Sequence, residues 1–210
     1  MNYTELKTNI EDICEQSFTD AQLAVFTEQA EQTIFSTVDL PALRTNQTGT
    51  ITASNQYLTM PTGMLYVYSL AVIDPTSAEY HFLLNKDPSF IREAYPVTAT
   101  QGRPQHYGIF SQTSFILGPT PNVTYATEVH YGKYPESIVT AGTTWLGDQF
   151  DSALLNGALV NAIRFQKGEP DMVALYEKLY AQAILLLKNL GDGKLEADAY
   201  RNGIVRIPIK

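Results

Sequence analysis

The sequence predicts an α+β fold: a helical bundle formed by the N- and C-terminal helices, an inserted antiparallel β-sandwich or barrel, and an extended C-terminal arm. Three observations carry this expectation. Apolar residues recur at helical spacing over residues 3–36, at a period of two between Arg44 and Pro135, and at helical spacing again from residue 150. Turn signals cut the middle stretch into about seven short runs, the spacing of a small sandwich or barrel. The closing residues alternate once more, after the helical pattern stops at Leu190-Gly-Asp-Gly193. The implied organisation is residues 1–41 and 141–193 as two halves of one helical domain, 42–140 as an inserted β domain, and 194–210 as the arm.

Leu6, Ile10 and Ile13 are spaced four and three apart, which predicts a short amphipathic helix over residues 3–14. A second helix is predicted from about Asp20 to Ser36, with Leu23, Phe26, Ala30 and Ile34 as its buried stripe. Thr19 or Asp20 supplies its cap, and Pro41 stops any continuation. Strands are expected at 48–53, 57–61, 65–73, 79–84, 105–110, 114–117 and 123–134. Ser54-Asn55, Asp74-Pro75, Gly102-Arg-Pro104 and Gly118-Pro-Thr-Pro121 act as turns between them. Asp87 to Ala94 reads as a helical turn or two, with Pro88 at the first helical position. Ala141-Gly-Thr-Thr-Trp-Leu-Gly147 reads as a loop. Beyond it, residues 150–166 carry a stripe of Leu154, Leu155, Ala158, Leu159, Ala162, Ile163 and Phe165. Gly168-Glu-Pro-Asp171 is a stop and restart, and residues 172–190 carry Leu175, Leu179, Ala183, Leu186 and Leu190. The short link makes these last two helices antiparallel neighbours.

The arm is the most informative stretch. Val205, Ile207 and Ile209 alternate with Ile204, Arg206 and Pro208, the period of an extended strand, and Pro208 confines such a strand to an edge. Burying three or four of these side chains contributes roughly 6–10 kcal/mol, at ~1.5–3 each. Ordering ten backbone residues costs on the order of 10–20 kcal/mol. A partner's groove and added strand hydrogen bonds are then needed to order it, as in β-augmentation. The alternative is a C-terminal strand that closes its own sheet.

Composition bounds the rest. The 210 residues suffice for one core, or a core plus a satellite domain. The net charge of −8 argues against nucleic-acid binding, which needs clustered Lys and Arg. From Lys194 onward the balance is +2, leaving −10 on the rest. A cationic arm on an anionic body favours docking onto an acidic neighbour. A lone Cys14, no basic-then-apolar leader and no apolar run of spanning length predict a reduced chain made in a cytosol, with no membrane contact.

No motif carries catalysis. His81, His106 and His130 sit in different predicted strands without metal-ligand spacing, and Cys14 has only Lys7 nearby to lower its pKa. Glu136, Asp148 and Asp151 flank Trp145, an arrangement that glycoside cleavage can use, but acids also stabilise a helix N-terminus. Sequons at Asn2, Asn46 and Asn122 have no secretory signal to give them meaning. The expectation is no catalytic residue, no cofactor and no metal. The many tyrosines, among them Tyr57, Tyr66, Tyr68, Tyr107, Tyr125, Tyr131 and Tyr134, suit sheet packing and protein contacts, or else a sugar-binding platform.

The chain as a whole resembles the head-to-tail adaptor (head-completion) proteins of tailed bacteriophages. The stretches behind this are Arg44-Thr-Asn-Gln-Thr-Gly-Thr-Ile-Thr52, Phe82-Leu-Leu-Asn-Lys-Asp-Pro-Ser-Phe-Ile-Arg-Glu-Ala-Tyr-Pro96 and Phe115-Ile-Leu-Gly-Pro-Thr-Pro121. Tyr134-Pro-Glu-Ser-Ile-Val-Thr-Ala-Gly-Thr-Thr-Trp-Leu-Gly-Asp148, Gly168-Glu-Pro-Asp171 and Tyr200-Arg-Asn-Gly-Ile-Val-Arg-Ile-Pro-Ile-Lys210 complete the likeness. It implies a non-enzymatic virion protein at the head–tail interface, present in the host cytoplasm during assembly. It implies a ring, typically of twelve copies, beneath the portal, offering a platform to tail or nozzle proteins and a channel through which genomic DNA passes without specific binding. The expected docking arm comprises Tyr200, Arg201, Ile204, Val205, Arg206, Ile207, Pro208, Ile209 and Lys210. The alternative is a tyrosine-rich carbohydrate-binding or tail-completion β module of the virion.

Overall fold

The computed structural model describes residues 1–195. The fold is mixed α+β, and the chain divides into two compact units: Met1–Leu43 with the chain from Pro135 onward, and Arg44–Tyr134. The docking arm of the sequence reading, Tyr200 to Lys210, lies outside the described residues.

The helical unit opens with α1 (Tyr3–Cys14) and α2 (Asp20–Thr37). Both start with reciprocal caps. Asn2 accepts the Glu5 N–H while the Glu5 carboxylate accepts the Asn2 N–H, and Thr19 pairs with Gln22 in the same way. A 3₁₀ turn at Pro41–Leu43 ends this half. The second half holds α4 (Ile138–Ala141), α5 (Trp145–Gln149), α6 (Asp151–Gln166) and α7 (Pro170–Leu195); α3 (Pro88–Ala94) belongs to the other unit. α5 begins inside the loop expected at 141–147, and α4 lies just before it, ending at Ala141. They are too short to show periodicity, and they exist because Ser137 and Thr144 cap them.

One core joins the halves. Leu6, Ile10, Leu23, Ala30, Ile34, Leu154, Ala158, Leu159, Ala162 and Leu187 are all buried in it. The predicted stripe of α2 is therefore the buried one. Three details differ from the sequence reading. Ile13 is 40% exposed and Phe165 52% exposed, each lying at a helix's C-terminal end. On α7 the packed side is Tyr176, Tyr180, Ala183, Ile184 and Leu187, whereas Leu175, Leu179 and Leu186 are exposed. The expected stripe was Leu175, Leu179, Ala183, Leu186 and Leu190; the packed one lies beside it on the helix and bears the tyrosines. The helix also runs to Leu195 through Gly191 and Gly193, where a stop after Leu190 was expected; glycine weakens a helix by ~1 kcal/mol without blocking it.

Close approach fixes the helix packing. A Cβ on Gly157 of α6 would stand 2.9 Å from the Tyr180 ring and 3.0 Å from Ala30, so α2, α6 and α7 meet where no side chain intervenes. Arg164 and Glu177 pair at 2.6 Å along the α6–α7 seam.

The strand unit contains β1 (Arg44–Ile51), β2 (Tyr57–Thr59), β3 (Met64–Ile73), β4 (Tyr80–Phe82) and β5 (Leu84–Asn85). After α3 (Pro88–Ala94) come β6 (Gln101–Gly102), β7 (His106–Ile109), β8 (Ser114–Gly118), β9 (Thr120–Pro121) and β10 (Tyr125–Lys133). One sheet has the order β1-β10-β3-β4, all antiparallel; another is β2-β8-β7-β5, in which β5 and β7 run parallel. A third, minimal sheet pairs β6 with β9 in parallel, within stretches that read as turns. Two-residue strands leave no periodic trace, so neither parallel pairing was foreseeable from spacing. Ile51, Leu70, Val72, Val129 and Tyr131 of the first sheet share a buried cluster with Leu58, Tyr107, Phe115 and Leu117 of the second. α3 starts as expected, with Asp87 accepting the Ser89 N–H and Pro88 in the first turn, and it buries Ile91.

Candidate functional site

Period-two alternation turns Tyr125, Thr127, Val129 and Tyr131 of β10 into the core and leaves Glu128, His130 and Gly132 on the other side of the sheet. Register then sets their neighbours: Arg44 pairs with Gly132, Asn46 with His130 and Thr48 with Glu128 across β1. A register shift between His130 and Tyr131 re-aims the adjoining part of β3. There Tyr66 lies over Gly132, where a Cβ would come within 2.5 Å of its ring. Tyr68 meets Tyr66 edge-on at 5.2 Å, and their hydroxyls are 3.2 Å apart. The Arg44 guanidinium stands 4.7 Å above Tyr68, and His130 stacks at 5.1 Å.

The same side of the sheet continues toward β4. Asn46 donates to Glu128 at 2.7 Å, and Tyr80 hydrogen-bonds Glu128, which raises the phenol pKa. Phe82, opposite Ala71, is 67% exposed, and Tyr80, opposite Ile73, is 52% exposed. An aromatic face edged with Arg, His and Glu results. Such a surface suits protein contact, where rings supply apolar area and their polar tips remain satisfied. A second aromatic group lies around α3: Arg92 donates to the Tyr57 hydroxyl at 2.8 Å and lies over Phe110 at 5.7 Å.

The tyrosines singled out in the sequence divide between two jobs. Tyr107, Tyr125 and Tyr131 are core residues, while Tyr57, Tyr66, Tyr68 and Tyr134 are at least one-third exposed. The histidines do not converge. His81 contacts Arg103 at 3.0 Å, His106 bonds the Tyr95 hydroxyl at 3.0 Å, and His130 stacks on Tyr68. Among the described residues no group of three His, Cys, Asp or Glu side chains could hold a metal ion. Cys14 is half-buried and burial pushes its thiol pKa up, opposite to the shift a nucleophile needs.

The three acids near Trp145 also occupy separate positions. Glu136 precedes α4, Asp148 lies in the first turn of α5, and Asp151 in the first turn of α6, where each aspartate faces a helix dipole favourably. Asp151 borders a cavity of about 440 Å³ with Met1, Thr4, Glu5, Thr8 and Asn9; neither Glu136 nor Asp148 lines it. Trp145 instead packs against the helical core beside Phe150, 6.1 Å away. The sequence reading missed the grouping of Arg44, Tyr66, Tyr68 and His130 as one surface. The signal was faint: Tyr66 and Tyr68 at a spacing of two.

The family model described as "SU10 adaptor protein" matches residues 1–206. No curated protein matches the chain.

Proposed function

The chain belongs to the SU10 adaptor protein family, and on that premise we propose that it forms the ring that connects the DNA-filled head of a tailed bacteriophage to its tail. As an adaptor it is a structural component of the phage particle. The carrying observation is the extent of the match: residues 1–206 take in both compact units and most of the tail end. The likeness thus covers the whole design and not a single borrowed module.

In this reading about twelve copies sit on the portal ring, give tail or nozzle proteins a platform, and leave a channel for DNA. Its role is non-enzymatic. The helical halves form a bundle and the two four-stranded sheets a sandwich, with domain borders near residues 41, 140 and 193. Tyr200, Arg201, Ile204, Val205, Arg206, Ile207, Pro208, Ile209 and Lys210 form the portal-docking arm. Its support is the alternating aliphatic pattern and the +2 balance from Lys194 onward, against −10 elsewhere. Arms that bind weakly alone become hard to release when a ring presents many at once. The anionic body suits a channel that DNA crosses without adhering. Electron microscopy of the protein mixed with its portal tests this reading, which expects an added ring layer; a bare portal contradicts it.

A second reading has one observation in its favour, the exposed Tyr66, Tyr68, Tyr80 and Phe82. Those rings could form the sugar-binding platform of a virion β module. A glycan array separates the two readings: the connector stays silent, and a sugar module gives saturable binding that is lost on Tyr68→Ala.

A further inference from the structure

We propose that the outward side of α7 is the contact between neighbouring copies, and that it seats on the Ile13–Phe165 patch of the next copy. The inference rests on the ring reading above and names the surface that would close the ring.

α7 carries two apolar stripes beside a polar side formed by Glu177, Lys178, Gln182, Lys188 and Asn189. Between Asp171 and Lys188 only Glu177 and Lys178 carry charge, and Glu177 is paired with Arg164. One side packs into its own unit through Tyr176, Tyr180, Ala183 and Leu187. A second stripe at Met172, Leu175, Leu179 and Leu186 follows helical spacing and is 41%, 47%, 38% and 62% exposed. Leu185 adds a further side chain, 60% exposed. A helix with two apolar stripes offers more apolar surface than its own unit covers, and the second stripe is left for a neighbour.

The same unit offers a matching patch. Ile13 and Phe165 are exposed at the C-terminal ends of α1 and α6. Gln166 donates to the Cys14 carbonyl and so ties these two ends together. The Phe165 ring is held 5.4 Å from Phe26 and 6.4 Å from Phe18, a rigid apolar knob.

Charge favours this pairing over stripe against stripe. Glu11, Asp12 and Glu15 lie around Ile13 and Lys167 follows Phe165, leaving the patch net acidic, whereas Lys178 stands beside the α7 stripe. Stripe on stripe would bring Lys178 near its own copy, a like-charge contact. Joining different residues of two copies makes the contact head-to-tail, the kind that generates a ring when its rotation closes. Five partly exposed aliphatic side chains also fall well short of the ~800 Å² per partner of a stable interface. Free copies therefore stay apart, and the contact closes when a portal holds them side by side.

The test uses the full chain with Cys14→Ser. One preparation carries Phe165→Cys and another Leu179→Cys, each checked for folding by circular dichroism. The two are mixed with portal, or concentrated without it, and treated with a short bismaleimide. The mixed 165–179 product is expected to exceed either like-with-like product by about tenfold, a difference of ~1.4 kcal/mol in contact preference. Dominance of the 179–179 product overturns the proposal, as does the lack of any intermolecular product under both conditions. The latter is also the result if residues 196–210 of the same chain cover the stripe. A 165–179 product formed without portal, alongside a portal that gains no ring layer, refutes the ring reading while the contact stands. Leu179→Glu supplies an independent arm. It sets a carboxylate against the acidic patch and should lower the mixed product about tenfold relative to Leu179→Lys in the same assay, with cysteine placed at Leu175 instead. Equal yields from the two variants count against the pairing.

Discussion

Glu31 on α2 is 3% exposed, and its carboxylate accepts the Ile138 N–H at 2.9 Å. One buried acid thereby fastens the start of α4 to a helix more than a hundred residues earlier. Burial raises its pKa above the usual carboxylate value; hydrogen bonds from Ser137 and Ile138 oppose the rise, and Glu28 adds to it. Because the folded-state pKa is raised, the contribution of this group to stability is fully present below its unfolded pKa and is lost as pH rises through the folded value. Glu31→Gln keeps an acceptor for Ile138 and removes the buried charge. Urea titrations are expected to show the variant matching the parent at low pH and equalling or exceeding it at pH 8. Glu31→Ala leaves the Ile138 donor unsatisfied and should cost ~1–3 kcal/mol at both. A Gln variant weaker than the parent at pH 8 contradicts this account. Nothing in the sequence marks Glu31, since a glutamate in a helix containing Glu28 reads as solvated and its partner is remote. Asn2, Thr19, Asp87 and Pro88 are the reverse case: capping chemistry is local, and so is visible in a few letters.

Among the elements, α7 departs furthest from its sequence reading, and Tyr180 is the reason. The Tyr180 hydroxyl is buried with no hydrogen-bond partner among the described residues, and burial pushes its pKa up to about 12. The apolar spacing points to Leu175, Leu179 and Leu186 as core residues, whereas the fold packs Tyr176 and Tyr180 there. Gly157 shows what its ring contributes, since it lets Tyr180 and Ala30 close the seam between α2, α6 and α7. Tyr180→Phe keeps the ring, removes the orphaned hydroxyl and should raise stability by up to ~1 kcal/mol in urea melts. Gly157→Ala should lower it by ~1–3 kcal/mol through overpacking, despite alanine's better helix propensity. A destabilised Tyr180→Phe would mean that the hydroxyl has a partner in solution. The stripes of α2 and most of α6 were legible, because one apolar side leaves one solution. α7 has two such sides, and only the contacts of the fold choose between them. Strands of two residues and single helical turns fall below the length at which any period can register.

At the scale of the molecule, the change of period near Arg44 and its return past Pro135 made the mixed α+β layout legible, because helix and strand impose different spacings on the same apolar residues. Pairing was not legible: the parallel contacts β5–β7 and β6–β9 depend on long-range closure. The aromatic face of Arg44, Tyr66, Tyr68 and His130 escaped for the same reason, as it is assembled by register across β1, β10 and β3. The arm is a different matter. Alternation and charge alone point to it. Electron microscopy of portal mixed with full-length protein or with a chain lacking residues 201–210 addresses it directly. The account predicts an added ring layer for the full chain and none for the truncated one, whose circular dichroism and melting stay close to the parent's. A truncated chain that decorates the portal as fully as the parent would contradict the docking arm.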